Sequence, residues 1–227
     1  MMLRITFVLS LITGMVALAC QPENKTETAQ IQKPVTAALE PGERDKLAKA
    51  TFAGGCFWCT EAVFERVEGV KDVVSGYSGG KESDADYQMV SNGETDHAEA
   101  VQIFYDPAVV SFKTLLEIFF ATHDPTQLNR QGPDVGRQYR SAVFYHDDSQ
   151  KEETEAYIKE LNASGKLDKE IVTQVVPYEA FYKAEDYHQD YYEHHPENPY
   201  IIQVTAPKVK KFLKTFPDKL KKQYQKS

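Results

Sequence analysis

The chain has 227 residues, of which 41% are apolar and 26% charged, and this ordinary composition supplies enough apolar side chains for one hydrophobic core. The formal net charge of −8 argues against nucleic acid as a partner, because binding to a phosphate backbone requires a basic surface. Lysines are concentrated in residues 208–222, so the remainder of the chain is more acidic than the average suggests.

The first residues have the pattern of a secretory signal peptide. Arg4 provides a short positive start, and residues 5–19 form an apolar run that ends in small side chains. This run is shorter than the ~20 residues of a membrane-spanning helix, but it suits a signal peptide over residues 1–19. It leads into "VALAC", which is similar to a bacterial lipobox, in which Cys20 would become the lipidated first residue. We therefore expect an extracytoplasmic protein, in the periplasm or at the cell surface, anchored by a lipid on Cys20; simple secretion and an uncleaved anchor are the alternatives.

The rest of the chain divides into three regions. Residues 20–48 contain prolines and many polar side chains but no aromatic residue, which predicts a flexible tether. A folded domain is expected over residues 49–206. A basic tail follows over residues 207–227, and we expect it to be solvated, with contact to an anionic membrane as the alternative.

Within the folded domain, apolar periodicity and turn residues predict alternating strands and helices. We predict strands at 49–55, 70–80, 97–107, 139–146 and 171–178, and helices at 56–69, 111–123 and 148–165. Ser111 is the expected N-cap of the second helix, and Ser149 with Glu152 forms the expected capping box of the third. The order β-α-β-β-α-β, followed by a further helix and strand, is that of the ferredoxin-like split βαβ arrangement. The predicted fold class is therefore α+β, a two-layer sandwich with additional C-terminal elements.

The stretch "GGCFWCTEAVFE" contains Cys56 and Cys59, the two cysteines that remain once Cys20 is set aside. Haem attachment requires a histidine after the second cysteine, where this chain has Thr60. Zinc binding would require two more ligands, for which the histidine pair at 194–195 is the candidate. A structural disulfide across so short a loop would stabilise the fold little. A redox-active dithiol, of the kind found in thioredoxin-like disulfide exchangers, fits an oxidising compartment better.

Cys56 is placed at the junction between a strand and a helix. Gly54 and Gly55 allow a sharp turn there, and the unpaired N–H groups at the start of the helix favour a thiolate. Phe57 and Trp58 follow directly, either as core residues of the first helical turn or as an aromatic pocket beside a reactive thiol. An inert buried cysteine is the alternative interpretation of Cys56.

The stretch "GCFWCTE" resembles the active-site signature of the A-type peptide methionine sulfoxide reductases. The similarity continues in the same order through "SGYSGG" (75–80), "HAEAVQIFYDP" (97–107), "HDPTQLNRQGPDVGRQYRSAVFY" (123–145) and "FYKAEDYHQDYY" (181–192). The resemblance implies an oxidoreductase that reduces the S epimer of methionine sulfoxide, protein-bound or free, without a metal or organic cofactor. Electrons would come from an external dithiol reductant that is thioredoxin-like.

Two residues would carry the central chemistry. The resemblance assigns Cys56 as the nucleophile that attacks the sulfoxide sulfur, releases methionine and becomes a sulfenic acid. Sulfoxide oxygen leaves poorly unless it is protonated, and the resemblance assigns that acid to Glu99. The sequence supports this assignment, because Glu99 shares a strand face with Val101 and Ile103, where burial would raise the pKa of its carboxyl. The alternative places Glu99 on the solvated side of the strand.

The remaining site residues are assigned by the resemblance alone. Tyr87 and Tyr139 would hydrogen-bond the sulfoxide oxygen, since a neutral hydroxyl can stabilise negative charge that develops there. Asp134 occupies the position of the family's active-site aspartate. Phe57 and Trp58 would form the pocket for the methyl group of the substrate.

The chain departs from many relatives because it has no cysteine after Cys59. We therefore expect Cys59 to resolve the sulfenic acid as a disulfide; resolution by an external thiol and a packing role for Cys59 are the alternatives. Asp96 stands where a glycine is common, and its charge would raise the pKa of Glu99 further. His188 is expected to be a supporting residue rather than a catalyst.

Two rival functions stay open at the level of sequence. A CxxC thiol-disulfide oxidoreductase would act on disulfides and not on methionine sulfoxide. A non-enzymatic surface lipoprotein would bind partners without needing the thiol of Cys56. For the reductase we expect a monomer that meets the membrane only through its N-terminal anchor.

Overall fold

The computed structural model describes residue 39 and residues 42–225. The predicted signal peptide, Cys20 and most of the predicted tether lie outside the described residues. Across the part of the chain that is described, no helix combines the length and the apolar character needed to cross a lipid bilayer.

Strands and helices alternate along the described chain. The strands are β1 (Ala48–Gly54), β2 (Val70–Ser78), β3 (Ala98–Tyr105), β4 (Arg130–Gln131), β5 (Asp134–Val135), β6 (Ser141–Tyr145), β7 (Gln174–Pro177) and β8 (Phe181–Lys183). The α-helices are α1 (Phe57–Phe64), α2 (Tyr87–Ser91), α3 (Phe112–Thr122), α4 (Asp148–Ala163), α5 (Tyr191–His194) and α6 (Ala206–Thr215). A π-helix, Ile201–Thr205, runs directly into α6. Short 3₁₀ turns lie at Arg44–Lys46, Glu82–Asp84, Arg137–Tyr139, Asp186–His188, Pro217–Lys219 and Lys222–Tyr224.

Six strands form one sheet in the order β7-β6-β1-β3-β2-β8, while β4 and β5 form a separate two-stranded ribbon. The four central strands pair with one another in antiparallel orientation in the order β6-β1-β3-β2, which is the strand order of two interleaved split βαβ units. Strand β7 extends one edge in parallel, and β8 extends the other edge in antiparallel orientation. The predicted ferredoxin-like α+β fold with additional C-terminal elements is therefore confirmed.

Alternation along the strands separates the sheet into two faces. Phe52, Val101 and Ile103 point to the helix-covered face, where α1, α3, α4 and α6 contribute to one apolar cluster. The ring of Phe119 from α3 stacks on Phe52 with centroids 4.8 Å apart. The opposite face carries a smaller cluster built mainly from alanines and Phe144. Because Glu99 has the same parity as Val101, its side chain lies on the helix-covered face.

Helix caps explain where two of the helices begin. Ser111 caps α3 as predicted. The capping box predicted for Ser149 and Glu152 is wrong, because α4 begins earlier, with Asp147 as its N-cap. The Asp147 side chain accepts a hydrogen bond from the main-chain N–H of Gln150, which satisfies a donor in the first turn.

The C-terminal segment belongs to the folded domain. The sequence predicted that residues 207–227 form a solvated tail, but Val209 and Phe212 of α6 are buried in the main core. Further on, Leu220 is buried and forms a β-bridge with Val67. The sequence prediction missed this apolar face because α6 is rich in lysine. A helix can bury two or three side chains while its remaining positions stay charged.

Replacing Phe212 with alanine is expected to lower the free energy of unfolding by about 3–5 kcal/mol, because the change removes a buried aromatic ring and leaves a cavity. Urea denaturation followed by circular dichroism measures this quantity. Lys210→Ala, on the exposed side of the same helix, is the matched control and should change it by less than about 0.5 kcal/mol. A similarly small loss for Phe212→Ala would mean that α6 contributes nothing to the core.

Candidate active site

The turn between β1 and α1 places Cys56 at the N-cap of the helix. Gly55 has φ +93°, a left-handed conformation that strongly favours glycine. A Cβ on Gly55 would lie 2.5 Å from the side chain of Gln131, and a Cβ on Gly54 would lie 2.9 Å from the ring of Phe119. The two glycines therefore permit both the turn and its close packing. Cys56 is left only 6% exposed at the end of this turn.

Glu99 lies buried against the start of α1. Its Oε2 accepts a hydrogen bond from the main-chain N–H of Phe57 at 3.1 Å, which leaves Oε1 to carry a proton. Burial raises the pKa of Glu99 to about 8 against the opposing effect of this hydrogen bond, with smaller contributions from Asp134 and Cys59. The predicted raised pKa is confirmed, and the alternative of a solvated Glu99 is wrong.

Asp96 does not act on Glu99 in the way the sequence suggested. It is exposed and forms an ion pair with Arg137, which is also half-exposed. The carboxylate that raises the pKa of Glu99 is instead Asp134, which the chain brings into the site from β5.

The surroundings of the two cysteines move the pKa values of their thiols in opposite directions. Burial, a hydrogen bond with Cys59 and the charge of Glu99 raise the pKa of the Cys56 thiol. The hydrogen bond from Cys56 lowers the pKa of Cys59 to about 6, with Lys208 and Thr205 contributing in the same direction. The prediction of a resting thiolate at Cys56 is therefore wrong, because burial and negative neighbours outweigh the effect of the helix terminus on the pKa.

Among the described residues no group of three or more His, Cys, Asp or Glu side chains is arranged to hold a metal.

Tyr87 and Tyr139 lie close to both Cys56 and Glu99. Tyr87 is the first residue of α2, whereas Tyr139 ends a 3₁₀ turn before β6. Burial, followed by the charges of Glu99 and Cys56, raises the pKa of Tyr87 to about 12 and also raises the pKa of Tyr139. Both phenols therefore keep their protons and can donate hydrogen bonds to an oxygen in the site.

Tyr200 is a site residue that sequence reasoning missed. Its hydroxyl donates to Oδ2 of Asp134 at 2.5 Å, and its ring meets Trp58 edge-on with centroids 5.8 Å apart. Tyr200 also lies close to Cys56 and acts to lower the pKa of its thiol. With 13 tyrosines in the chain, no local signal distinguished this one. The chain must return from its C-terminal region to bring Tyr200 to the cysteines.

Aromatic side chains form one wall of the site. Phe57 is fully buried, whereas Trp58 is only partly buried and can face a ligand. The indole N–H of Trp58 donates to Nδ1 of His188 at 3.2 Å, and the ring of Tyr191 stacks on the indole with centroids 3.8 Å apart. Because Nδ1 accepts, His188 carries its proton on Nε2, and burial lowers its pKa so that it stays neutral. The contacts of His188 hold the indole in place.

Comparison with known proteins places this site in a family. The family model described as peptide methionine sulfoxide reductase matches residues 48–220. The chain is 58% identical over 170 residues to peptide methionine sulfoxide reductase MsrA of Sulfolobus acidocaldarius, covering 75% of this chain and 96% of that protein. It is 56% identical over 176 residues to peptide methionine sulfoxide reductase MsrA 2 of Synechocystis sp., covering 77% of this chain and 82% of that protein.

A solved structure agrees with these sequence matches. Methionine sulfoxide reductase A of Corynebacterium diphtheriae superposes with a TM-score of 0.63 at 32% identity, covering 74% of this chain and 82% of that one. Residues 48–220, the span that the family model matches, contain the cysteine pair, the buried carboxyl and α6, so the similarity to the family includes the site as well as the sheet. The chain therefore belongs to the peptide methionine sulfoxide reductase family and is an oxidoreductase that reduces methionine sulfoxide with its thiols.

Proposed function

We propose that Cys56 attacks the sulfur of an S-epimer methionine sulfoxide, in a protein or as the free amino acid, while Glu99 protonates the oxygen. The observation that carries this proposal is the burial of Glu99 against the start of the helix whose N-cap is Cys56, where burial raises the pKa of the carboxyl to about 8. In the net step the thiol hydrogen and the sulfoxide oxygen end as a sulfenic O–H on Cys56, and methionine leaves.

The surrounding hydroxyls stabilise the oxygen as charge develops on it. Tyr87 and Tyr139 keep their protons at neutral pH and lie beside Cys56 and Glu99, so both can donate to the sulfoxide oxygen. The partly buried indole of Trp58 packs on the methyl group of the substrate, and the buried ring of Phe57 supports it. Asp134 orients the hydroxyl of Tyr200 across the site, which supports an active-site role for this aspartate.

Cys59 resolves the sulfenic acid by forming a disulfide with Cys56. Two features of this pair support the assignment: the thiols share a hydrogen bond, and the main-chain N–H of Cys59 bonds the carbonyl of Cys56 at 3.1 Å. A thioredoxin-like dithiol then reduces the disulfide, giving up two electrons and two hydrogens. The electrons thus come from an external protein rather than from a bound cofactor.

The monomeric enzyme works outside the cytoplasm, held to the membrane by a lipid on Cys20. This proposal rests on the lipobox-like "VALAC" and on the tether that follows it. A lipid anchor would keep the folded domain near the membrane and its reductant would be resupplied across that membrane.

We expect each cysteine to leave a distinct mass after one equivalent of a methionine sulfoxide peptide without reductant. The wild type should release methionine and lose two hydrogens across Cys56 and Cys59, because the sulfenic acid condenses with the second thiol. Cys59→Ser should still release one methionine per chain and retain one oxygen on Cys56, whereas Cys56→Ser should release none. Peptide mapping by mass spectrometry reads all three, and a stable sulfenic acid in the wild type would contradict the role of Cys59.

The rate of methionine release in a single turnover should fall as the pH rises through about 8. Burial raises the pKa of Glu99 to about 8, so its proton is present below that pH and lost above it. Glu99→Gln should slow release by about 10²–10⁴-fold and abolish this alkaline limb, because the proton donor is gone. Rapid-quench assays over a pH series test this. Asp96→Asn, which removes an exposed carboxylate three residues before Glu99, is the control and should keep the alkaline limb. If the alkaline limb persisted in Glu99→Gln, the proton would come from another group.

Labelling with radioactive palmitate tests the anchor. In a bacterial host that makes the full chain, the wild type and Cys59→Ser should incorporate label and sediment with membranes. Cys20→Ser should lose the label and appear in the soluble extracytoplasmic fraction, because the acylated thiol is absent. Label retained by Cys20→Ser would refute the lipoprotein assignment.

A further inference from the structure

Besides Cys56, Cys59 has partners in the C-terminal segment. Its Sγ lies 3.2 Å from Oγ1 of Thr205, and both side chains are buried, at 2% and 0% exposure. Thr205 ends the π-helix that precedes α6. A π-turn holds more residues than an α-turn and is often found at functional sites. Here it turns a hydroxyl toward the sulfur of Cys59.

Lys208 supplies positive charge to the same sulfur. It lies on the first turn of α6, three residues after Thr205, and is half-buried. With Cys59, Lys208 lines a cavity of about 10 Å³ between α1, α3 and α6, which is room for about one water molecule. The charge of Lys208 and the hydroxyl of Thr205 both lower the pKa of Cys59.

The other titratable groups near Cys59 do not supply this charge. His123 lines the same cavity, but burial lowers its pKa to about 4. Its ring is also fully engaged, with Nδ1 donating to the carbonyl of Phe119 at 2.6 Å and Nε2 accepting from Ser141 at 2.8 Å. Burial raises the pKa of Tyr200, so that phenol stays neutral.

The remaining neighbours on the substrate side are acids. Glu99 is protonated at neutral pH, since burial raises its pKa to about 8. Cys56 is protonated as well and donates to Cys59. Lys208 is therefore the cation that faces Cys59 from the packed elements described here.

We propose that Thr205 and Lys208 are positioning residues that hold Cys59 as a thiolate, ready to attack the sulfenic acid on Cys56. This inference rests on the resolving role proposed above for Cys59. It adds a second activated sulfur to the site, to which the C-terminal segment supplies a hydroxyl and a positive charge.

The resolving step balances with the groups in place. The Cys59 thiolate attacks Sγ of the Cys56 sulfenic acid, so that an S–S bond forms and the S–O bond breaks. Cys59 is oxidised and the sulfenic sulfur is reduced by the same electron pair. Hydroxide leaves and takes the proton of Glu99 to become water, after which Glu99 is reprotonated from solvent. The thiolate at Cys59 matters because only the ionised form is the nucleophile.

The test follows disulfide formation after one equivalent of a methionine sulfoxide peptide, without reductant, over pH 5 to 8. Site-resolved alkylation of Cys59 in a Cys56→Ser background, read by mass spectrometry, gives the pKa of Cys59 in the full chain. Lys208→Met should raise that pKa by about one pH unit and slow disulfide formation about fivefold at pH 6, because the thiolate fraction falls. Thr205→Val should shift the pKa in the same direction.

Matched variants separate a tuning role from a structural one. Lys208→Arg and Thr205→Ser keep the charge and the hydroxyl, and both should restore the wild-type pH profile. Lys210→Met removes an exposed charge from the same helix and should change nothing. An unshifted pKa of Cys59 in Lys208→Met overturns the inference, even if Thr205→Val fails to fold. Methionine released normally in that case would leave the proposed reductase mechanism intact, whereas absence of release in the wild type would reject the mechanism itself.

Discussion

The hydrogen bond from the N–H of Phe57 to the carboxyl of Glu99 joins the two elements on which the site depends. The donor belongs to the first turn of α1, and the acceptor lies on β3, a central strand of the sheet. Burying a carboxyl is unfavourable for its charged form, so Glu99 keeps a proton near neutral pH. The same contact places that proton beside Cys56. This interaction fixes the position of the acid, whereas burial raises its pKa against the opposing effect of the same hydrogen bond.

The ferredoxin-like topology explains why this contact forms where it does. Strand β3 lies between β1 and β2, so the turn that follows β1 passes over one end of β3. Alternation along β3 puts Glu99 on the face that α1 covers, together with Val101 and Ile103. A shift of one residue in register would turn the carboxyl to the opposite, alanine-lined face of the sheet, which would remove the acid from the site.

The C-terminal segment packs against α1 and brings further side chains to the two cysteines. Tyr200 reaches Asp134 and Cys56, Thr205 reaches Cys59, and α6 buries Phe212 in the core. Burial of α6 therefore fixes the position of the π-helix against the cysteines. Stability and thiol reactivity depend on the same packing, since a displaced α6 would take the partners of Cys59 with it.

Much of the fold was predictable from the sequence, because apolar periodicity, glycine turns and proline breaks are local signals. The family resemblance assigned Cys56 and Glu99 the roles proposed for them, and the apolar neighbours of Glu99 on its strand face indicated that its carboxyl is buried. Local signals failed for Tyr200, for the buried face of α6 and for the protonation of the cysteine pair. Proximity in space decides these features, and residues distant in sequence supply it. The sequence alone thus determined which chemical groups are present and in which element each lies, whereas the tertiary structure decided which of the two sulfurs ionises, because burial and neighbouring charge set a pKa.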